Sequence, residues 1–149
     1  MDLDAVKRSL EPASGGETLS RARFFETFVL YGLSIDLIEH GHVICSMKVP
    51  PRLLNSSGLL HGGLMVALVD VVGSAVFYSA GLPTSGVSLE ISISYVDAAY
   101  INDEIEFDAK ILKTGKTVIV STVEIRKKKT GKIVAQARHA KYAVASSKL

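Results

Sequence analysis

The chain has a single cysteine, Cys45, so an internal disulfide is excluded and packing alone must hold the fold. That cysteine lies in the strand-like stretch Val43-Ile44-Cys45-Ser46-Met47 and reads as a small buried hydrophobe. Charge of one sign is scarce too: 17 Lys and Arg against 15 Asp and Glu leave +2, too little to argue for a nucleic-acid partner. No His/Cys cluster has metal-ligand spacing, and His40 and His42 sit in a predicted turn without further ligands beside them. The Gly-x-Ser-x-Gly elbow of serine hydrolases is missing. Gly115-Lys116-Thr117 imitates the end of a phosphate-binding loop, yet position 110 is Lys rather than Gly and a strand, not a helix, follows. No basic-then-apolar signal segment opens the chain, so the acceptor pattern Asn55-Ser56-Ser57 is expected to stay unglycosylated.

What is present is a folding composition. With 149 residues, 48% of them hydrophobic and 21% charged, the chain is expected to form one domain rather than a disordered segment. Residues 1–22 read as a loosely ordered polar leader, helical in part, and 23–146 as the domain. Arg23 to Phe28 predicts a short helix with an aromatic face. Alternation in Leu33 to Leu37 and Ile44 to Val49 predicts a strand pair turning near Gly41, stopped by Pro50-Pro51. Val87, Leu89, Ile91, Ile93 and Tyr95 alternate with polar residues, a period-two strand signal. Glu104 to Lys113, Thr117 to Lys127 and Ile133 to Val144 continue as an antiparallel meander, joined at Thr114-Gly115-Lys116 and Thr130-Gly131-Lys132.

Between the strand pair and the meander runs one long apolar segment, Gly62 to about Ala80. It is long enough for a membrane span, but it carries Asp70 and Ser74, follows His61, and is succeeded by strands. A helix apolar on every side is also what a sheet wrapped around it requires. The expected class is therefore α+β, an antiparallel sheet around one central helix, with no membrane span.

Asp70 lies deep in that run, and burying a carboxylate among such neighbours costs several kcal/mol unless it is paired, solvated or useful. His61-Gly62-Gly63 stands where the helix begins, and glycine there leaves backbone N–H groups open to a ligand. An acid and an open helix N-terminus suit a site that handles a carbonyl and a water. Eight residues at about 1.5 Å each set Asp70 roughly 12 Å beyond Gly62, too far for both to serve one carbonyl. Two antiparallel-related helices remove the difficulty, each lending its N-terminus to the other's Asp70.

The Asn55 loop, Leu60-His61-Gly62-Gly63, Asp70, Gly86-Val87-Ser88 and Gly131-Lys132-Ile133-Val134-Ala135-Gln136 together resemble the hotdog-fold acyl-coenzyme A thioesterases of the type-13 branch, related to phenylacetate-pathway thioesterases. The resemblance covers about Phe24 to Tyr142. It implies a hotdog fold, a composite site at a homodimer interface, and dimers that commonly pair into a homotetramer. It also implies hydrolysis of fatty acyl- or aroyl-CoA thioesters without a cofactor, coenzyme A being part of the substrate. Gly62 N–H would polarise the thioester carbonyl, Asp70 would activate water or attack directly, Asn55 would be a polar partner at the thioester, and Ser88 would position the water. His61 is either a structural cap or an acid–base group. Ser88 shares a strand face with Glu90, a reserve base, and reaches the helix only through a bulge or an edge position.

For the coenzyme A moiety, positions matching Tyr95, Lys113, Gly115, Lys116 and Thr117 line the family's nucleotide groove. Lys141 and Arg138, on the last strand, are further candidate cations. Two rivals share the fold: a hydratase or dehydratase using His61 and Asp70, and a non-catalytic acyl-thioester binding module. The chain closes in Ser147-Lys148-Leu149, a tripeptide read by the peroxisomal import receptor, so peroxisomal delivery is expected, with the cytoplasm as the alternative.

Overall fold

A computed structural model describes residues 1–11 and 24–143; the tripeptide 147–149 lies outside them. In chain order the elements are α1 (Leu3–Leu10), α2 (Phe24–Leu30), β1 (Ser34–Glu39), β2 (His42–Lys48), a 3-10 turn (Pro51–Leu53), α3 (Gly62–Ser79), β3 (Val87–Tyr95), β4 (Glu104–Thr114), β5 (Val118–Lys127) and β6 (Ile133–Tyr142). The apolar run is α3, and more than half of its residues are buried. Six antiparallel strands in the order β1-β2-β4-β5-β6-β3 curl around it. Phe77, Leu68 and Val72 of α3 meet Phe107, Ile105, Ile119 and Ile125 of the sheet in one cluster, all at most 1% exposed.

The helix comes close to the sheet where its side chain is smallest. A Cβ at Gly73 would stand 3.1 Å from Ser121 Oγ and 3.3 Å from His139 Nδ1, and Ser121 Oγ donates to the Gly73 carbonyl at 2.9 Å. This contact sets the height at which β6 side chains meet the helix.

The leader, expected to be loosely ordered and helical in part, contains a docked helix among its described residues. Residues 3–10 form α1, capped by Asp2 accepting from Ala5 N–H, and Val6 and Leu10 are buried in the core cluster. Two apolar residues at i and i+4 are enough to dock a short helix when a larger apolar helix is already there to receive it.

The outer face of the sheet carries a paired charge network. Arg126 donates to Glu106, Asp108 and Glu124, while His42, which opens β2, meets Asp108 at 2.7 Å. A concavity of about 460 Å³ lies on this outer face. Neither Gly62 nor Asp70 lines it.

Candidate active site

The start of α3 is built as an open N-terminus. His61 caps it: the ring Nδ1 accepts from Gly63 N–H at 2.9 Å. Leu64 and Met65 N–H return to the His61 carbonyl. Gly62 N–H is left without a protein acceptor among the described residues, at the positive end of the helix dipole. Tyr95, at the end of β3, donates its phenolic O–H to the Gly62 carbonyl at 2.7 Å, and a Cβ at position 62 would lie 3.3 Å from its ring. The glycine therefore serves twice, leaving room for Tyr95 and for a ligand at the N–H. Asn55 shapes the preceding loop: Oδ1 accepts from Ser57 and Leu59 N–H at 2.9 and 3.0 Å.

Two turns along α3, Asp70 occupies a different setting. Its side chain is 49% exposed, so the apolar stretch does not seal it. Ser88 Oγ donates to Asp70 Oδ1 at 3.3 Å and lies 2.8 Å from His139 Nε2, which is itself 3.5 Å from Asp70 Oδ1. Ser88 faces the helix because β3 is an edge strand with a register shift between Ser88 and Glu90, so that Leu89 is an extra residue. Glu90 is exposed and lies beyond that shift, opposite Ala140. A cavity of about 250 Å³ beside Asp70 is lined by Ser9, Glu26, Ser74, Tyr78 and Ser85, a polar setting suited to water.

His139 and Lys141 stand beneath this carboxylate. Burial pushes the His139 imidazole down to about 4, with the Lys141 cation adding and the Asp70 carboxylate opposing. It is therefore neutral at pH 7, and its Nδ1 is buried without a hydrogen-bond partner. An unpaired acceptor costs less than an orphaned donor, so the proton belongs on Nε2, which donates to Ser88 and leaves the serine hydroxyl to donate to Asp70. Lys141 corrects the sequence reading. It is 4% exposed, Nζ donates to Ser74 Oγ at 2.5 Å, and burial holds its ammonium below the usual lysine range. Strand alternation sends Lys141 to the helix side, so it is not a surface cation for coenzyme A. His139 escaped the sequence reading altogether. Its signal was parity: Ala135, Ala137, His139 and Lys141 occupy one buried face of β6.

The nucleotide-groove candidates are divided as well. Lys113, Lys116 and Thr117 are exposed at the β4–β5 turn, where a Cβ at Gly115 would stand 2.6 Å from the Val118 carbonyl oxygen. Through the pairings Val118↔Tyr142 and Val87↔Tyr142, that turn neighbours the start of β3. Tyr95 ends the same strand, eight steps or about 26 Å away. One chain thus gathers Gly62, His61, Asn55 and Tyr95 at one end, and Asp70, Ser88, His139 and the Lys113–Thr117 turn at the other. Between them runs β3, an unpaired sheet edge with Val87 and Leu89 each 59% exposed.

Residues 57–134 match the family model described as the thioesterase superfamily. Human acyl-coenzyme A thioesterase 13 is 36% identical over 126 residues, covering 85% of this chain and 89% of that protein. The crystal structure of zebra fish thioesterase superfamily member 2 superposes with a TM-score of 0.83 at 31% identity, covering 97% of this chain and 99% of that one. A hypothetical thioesterase protein from Streptococcus pneumoniae TIGR4, with coenzyme A, superposes at 0.71 with 30% identity over 76% of this chain and 89% of its own. The chain belongs to the thioesterase superfamily and has the hotdog fold. It is a thioesterase of the acyl-coenzyme A thioesterase 13 type.

Proposed function

We propose that this thioesterase hydrolyses acyl-coenzyme A thioesters at a centre shared by two copies of the chain, which pair antiparallel along β3. The carrying observation is the double partition. Gly62 and Asp70 lie about 12 Å apart on one helix, and Tyr95 and the Lys113–Thr117 turn lie at opposite ends of β3; a two-fold across the open edge would rejoin both pairs. The Streptococcus pneumoniae protein with coenzyme A supports the choice of substrate.

In this centre the thioester carbonyl accepts from Gly62 N–H of one copy. Water held by Ser88 and Asp70 of the other attacks the carbonyl carbon while Asp70 takes its proton. Negative charge passes to the carbonyl oxygen, where the N–H and the helix dipole stabilise it. Collapse of the tetrahedral intermediate breaks the C–S bond, and the proton on Asp70 goes to the departing thiolate. Free acid and coenzyme A result. His139 holds Ser88, and Lys113 and Lys116 attract the phosphates. His61 spends Nδ1 as an acceptor for Gly63, so Nε2 carries the proton and the ring has no free base nitrogen. That removes the base a hydratase would need.

Mixing two inactive variants tests the shared centre. Asp70→Asn and Gly62→Val, refolded together, are expected to regain about a quarter of wild-type thiol release, because half of the pairs are mixed and each restores one of two sites. No regain on mixing would mean that each chain works alone and would overturn the proposal.

A further inference from the structure

We propose that Phe25 and Phe28 of α2, held in place by Arg52, form the acyl-selecting wall of this enzyme, and that the cavity behind them takes an apolar acyl group of about eight heavy atoms. The inference rests on the thioesterase reading and adds the place and size of the acyl group.

A cavity of about 240 Å³ opens beside the first turn of α3, lined by His61 and Gly63 and by Phe25, Phe28, Leu54 and Leu64. At about 30 Å³ for each water-sized group, it has room for about eight such groups. That is below the 300 Å³ or more of a site for a complete drug-sized ligand, so it suits one limb of the substrate and not the whole. A carbonyl on Gly62 N–H has two limbs, acyl and pantetheine, which must leave in different directions. The pantetheine limb carries amides that need partners and leads to phosphates that need cations. This cavity has few polar groups, and its one cation is already engaged. Arg52 Nε donates to the Phe28 carbonyl at 3.0 Å, its second guanidinium nitrogen donates to the Tyr31 carbonyl, and its guanidinium lies 5.9 and 5.4 Å from the Phe28 and Tyr31 ring centres. The cations at Lys113 and Lys116 lie elsewhere. The apolar limb belongs here.

The wall is unusual in its exposure. Phe25 is 62% and Phe24 50% exposed on a seven-residue helix, with Phe24 and Phe28 stacked at 6.0 Å. Phe25 contributes little to the chain's own packing, which leaves its ring available to cover an acyl chain. Arg52 fastens the Phe28 carbonyl of α2 and the Tyr31 carbonyl just past it to the turn that leads into the Asn55 loop, so the aromatic wall and the carbonyl-polarising amide are held in one frame.

The test compares kcat/KM for octanoyl- and acetyl-coenzyme A, read as thiol release, in wild type, Phe25→Ala and Phe25→Trp. Wild type should favour octanoyl. Phe25→Ala should lower the octanoyl-to-acetyl ratio by about tenfold, the worth of burying part of a phenyl ring. Phe25→Trp, which fills the cavity from an exposed position, should lower the same ratio. Ratios unchanged in both variants would overturn the wall while leaving the thioesterase reading standing. Absence of thiol release by wild type from either substrate and from hexadecanoyl-coenzyme A would overturn both.

Discussion

Tyr95 and Gly62 lock together: the phenol donates to the Gly62 carbonyl at 2.7 Å while its ring fills the space a side chain at position 62 would need. Gly62→Ala must push the ring aside by a few tenths of an ångström, which lengthens that hydrogen bond and tilts the first peptide of α3. We expect kcat/KM to fall about tenfold to a hundredfold, because an oxyanion donor out of place loses most of its effect. Tyr95→Phe keeps the ring and removes only the hydrogen bond, so stability should fall by about 1 kcal/mol. Thiol-release kinetics and urea midpoints separate the two variants, and equal activity in Gly62→Ala and wild type would count against the oxyanion role.

Asp70→Asn should lower kcat by about a thousandfold with little change in KM, the size expected when a general base is lost from a site that still binds. Ser88→Ala removes the donor 3.3 Å from Asp70 and should cost less, about tenfold. Retained substrate binding in Asp70→Asn can be measured with a non-hydrolysable thioether analogue. Undiminished turnover in that variant would point to a binding module with adventitious hydrolysis.

The architecture was legible because its signals were local and periodic. The alternation from Val87 to Tyr95, the unbroken apolar run of α3 and the two Thr-Gly-Lys turns each report their own element without long-range information. Gly62, His61 and Asp70 were legible as odd residues in an apolar setting. What the sequence hid depends on register. Ser88 turns inward only through the extra residue Leu89, a feature set by pairing with β6 and not by strand composition. Lys141 read as a surface cation because lysine is rarely buried, and His139 went unnoticed because its role exists only once Gly73 lets the helix approach β6. The leader read as helical in part, but the docking of α1 was hidden because a helix of eight residues is stable only against the partner it packs on.

The open edge at β3 offers a direct check on pairing. Leu89 is 59% exposed in the single chain, so Leu89→Arg leaves the core untouched. If β3 pairs with its copy, the charge is forced into that interface and the assembly should dissociate. We expect sedimentation velocity to show a monomer, circular dichroism to be unchanged, and hydrolysis to be lost with the dimer. A dimeric, active Leu89→Arg protein would place the contact elsewhere.

His139 should leave a signature in stability against pH. Its pKa is about 4 in the fold, against an ordinary value of 6.5, because burial disfavours the charged ring. Above about pH 6.5 the ring is neutral folded and unfolded, and it makes no difference to stability. Between the two values the unfolded chain takes up a proton that the fold refuses, so stability falls as the pH drops toward 4. From about pH 7.5 to about pH 4.5 the loss from this residue is about 2 to 3 kcal/mol. Lys141 and Asp70 are the charged groups beside it, acting in opposite directions, and Ser88 and Ser121 are neutral neighbours. Urea midpoints of wild type should therefore drop more steeply over this range than those of His139→Gln, which keeps a donor for Ser88 but cannot titrate. Parallel slopes for the two proteins would mean that the folded ring accepts its proton at an ordinary pH and that burial does not hold it neutral.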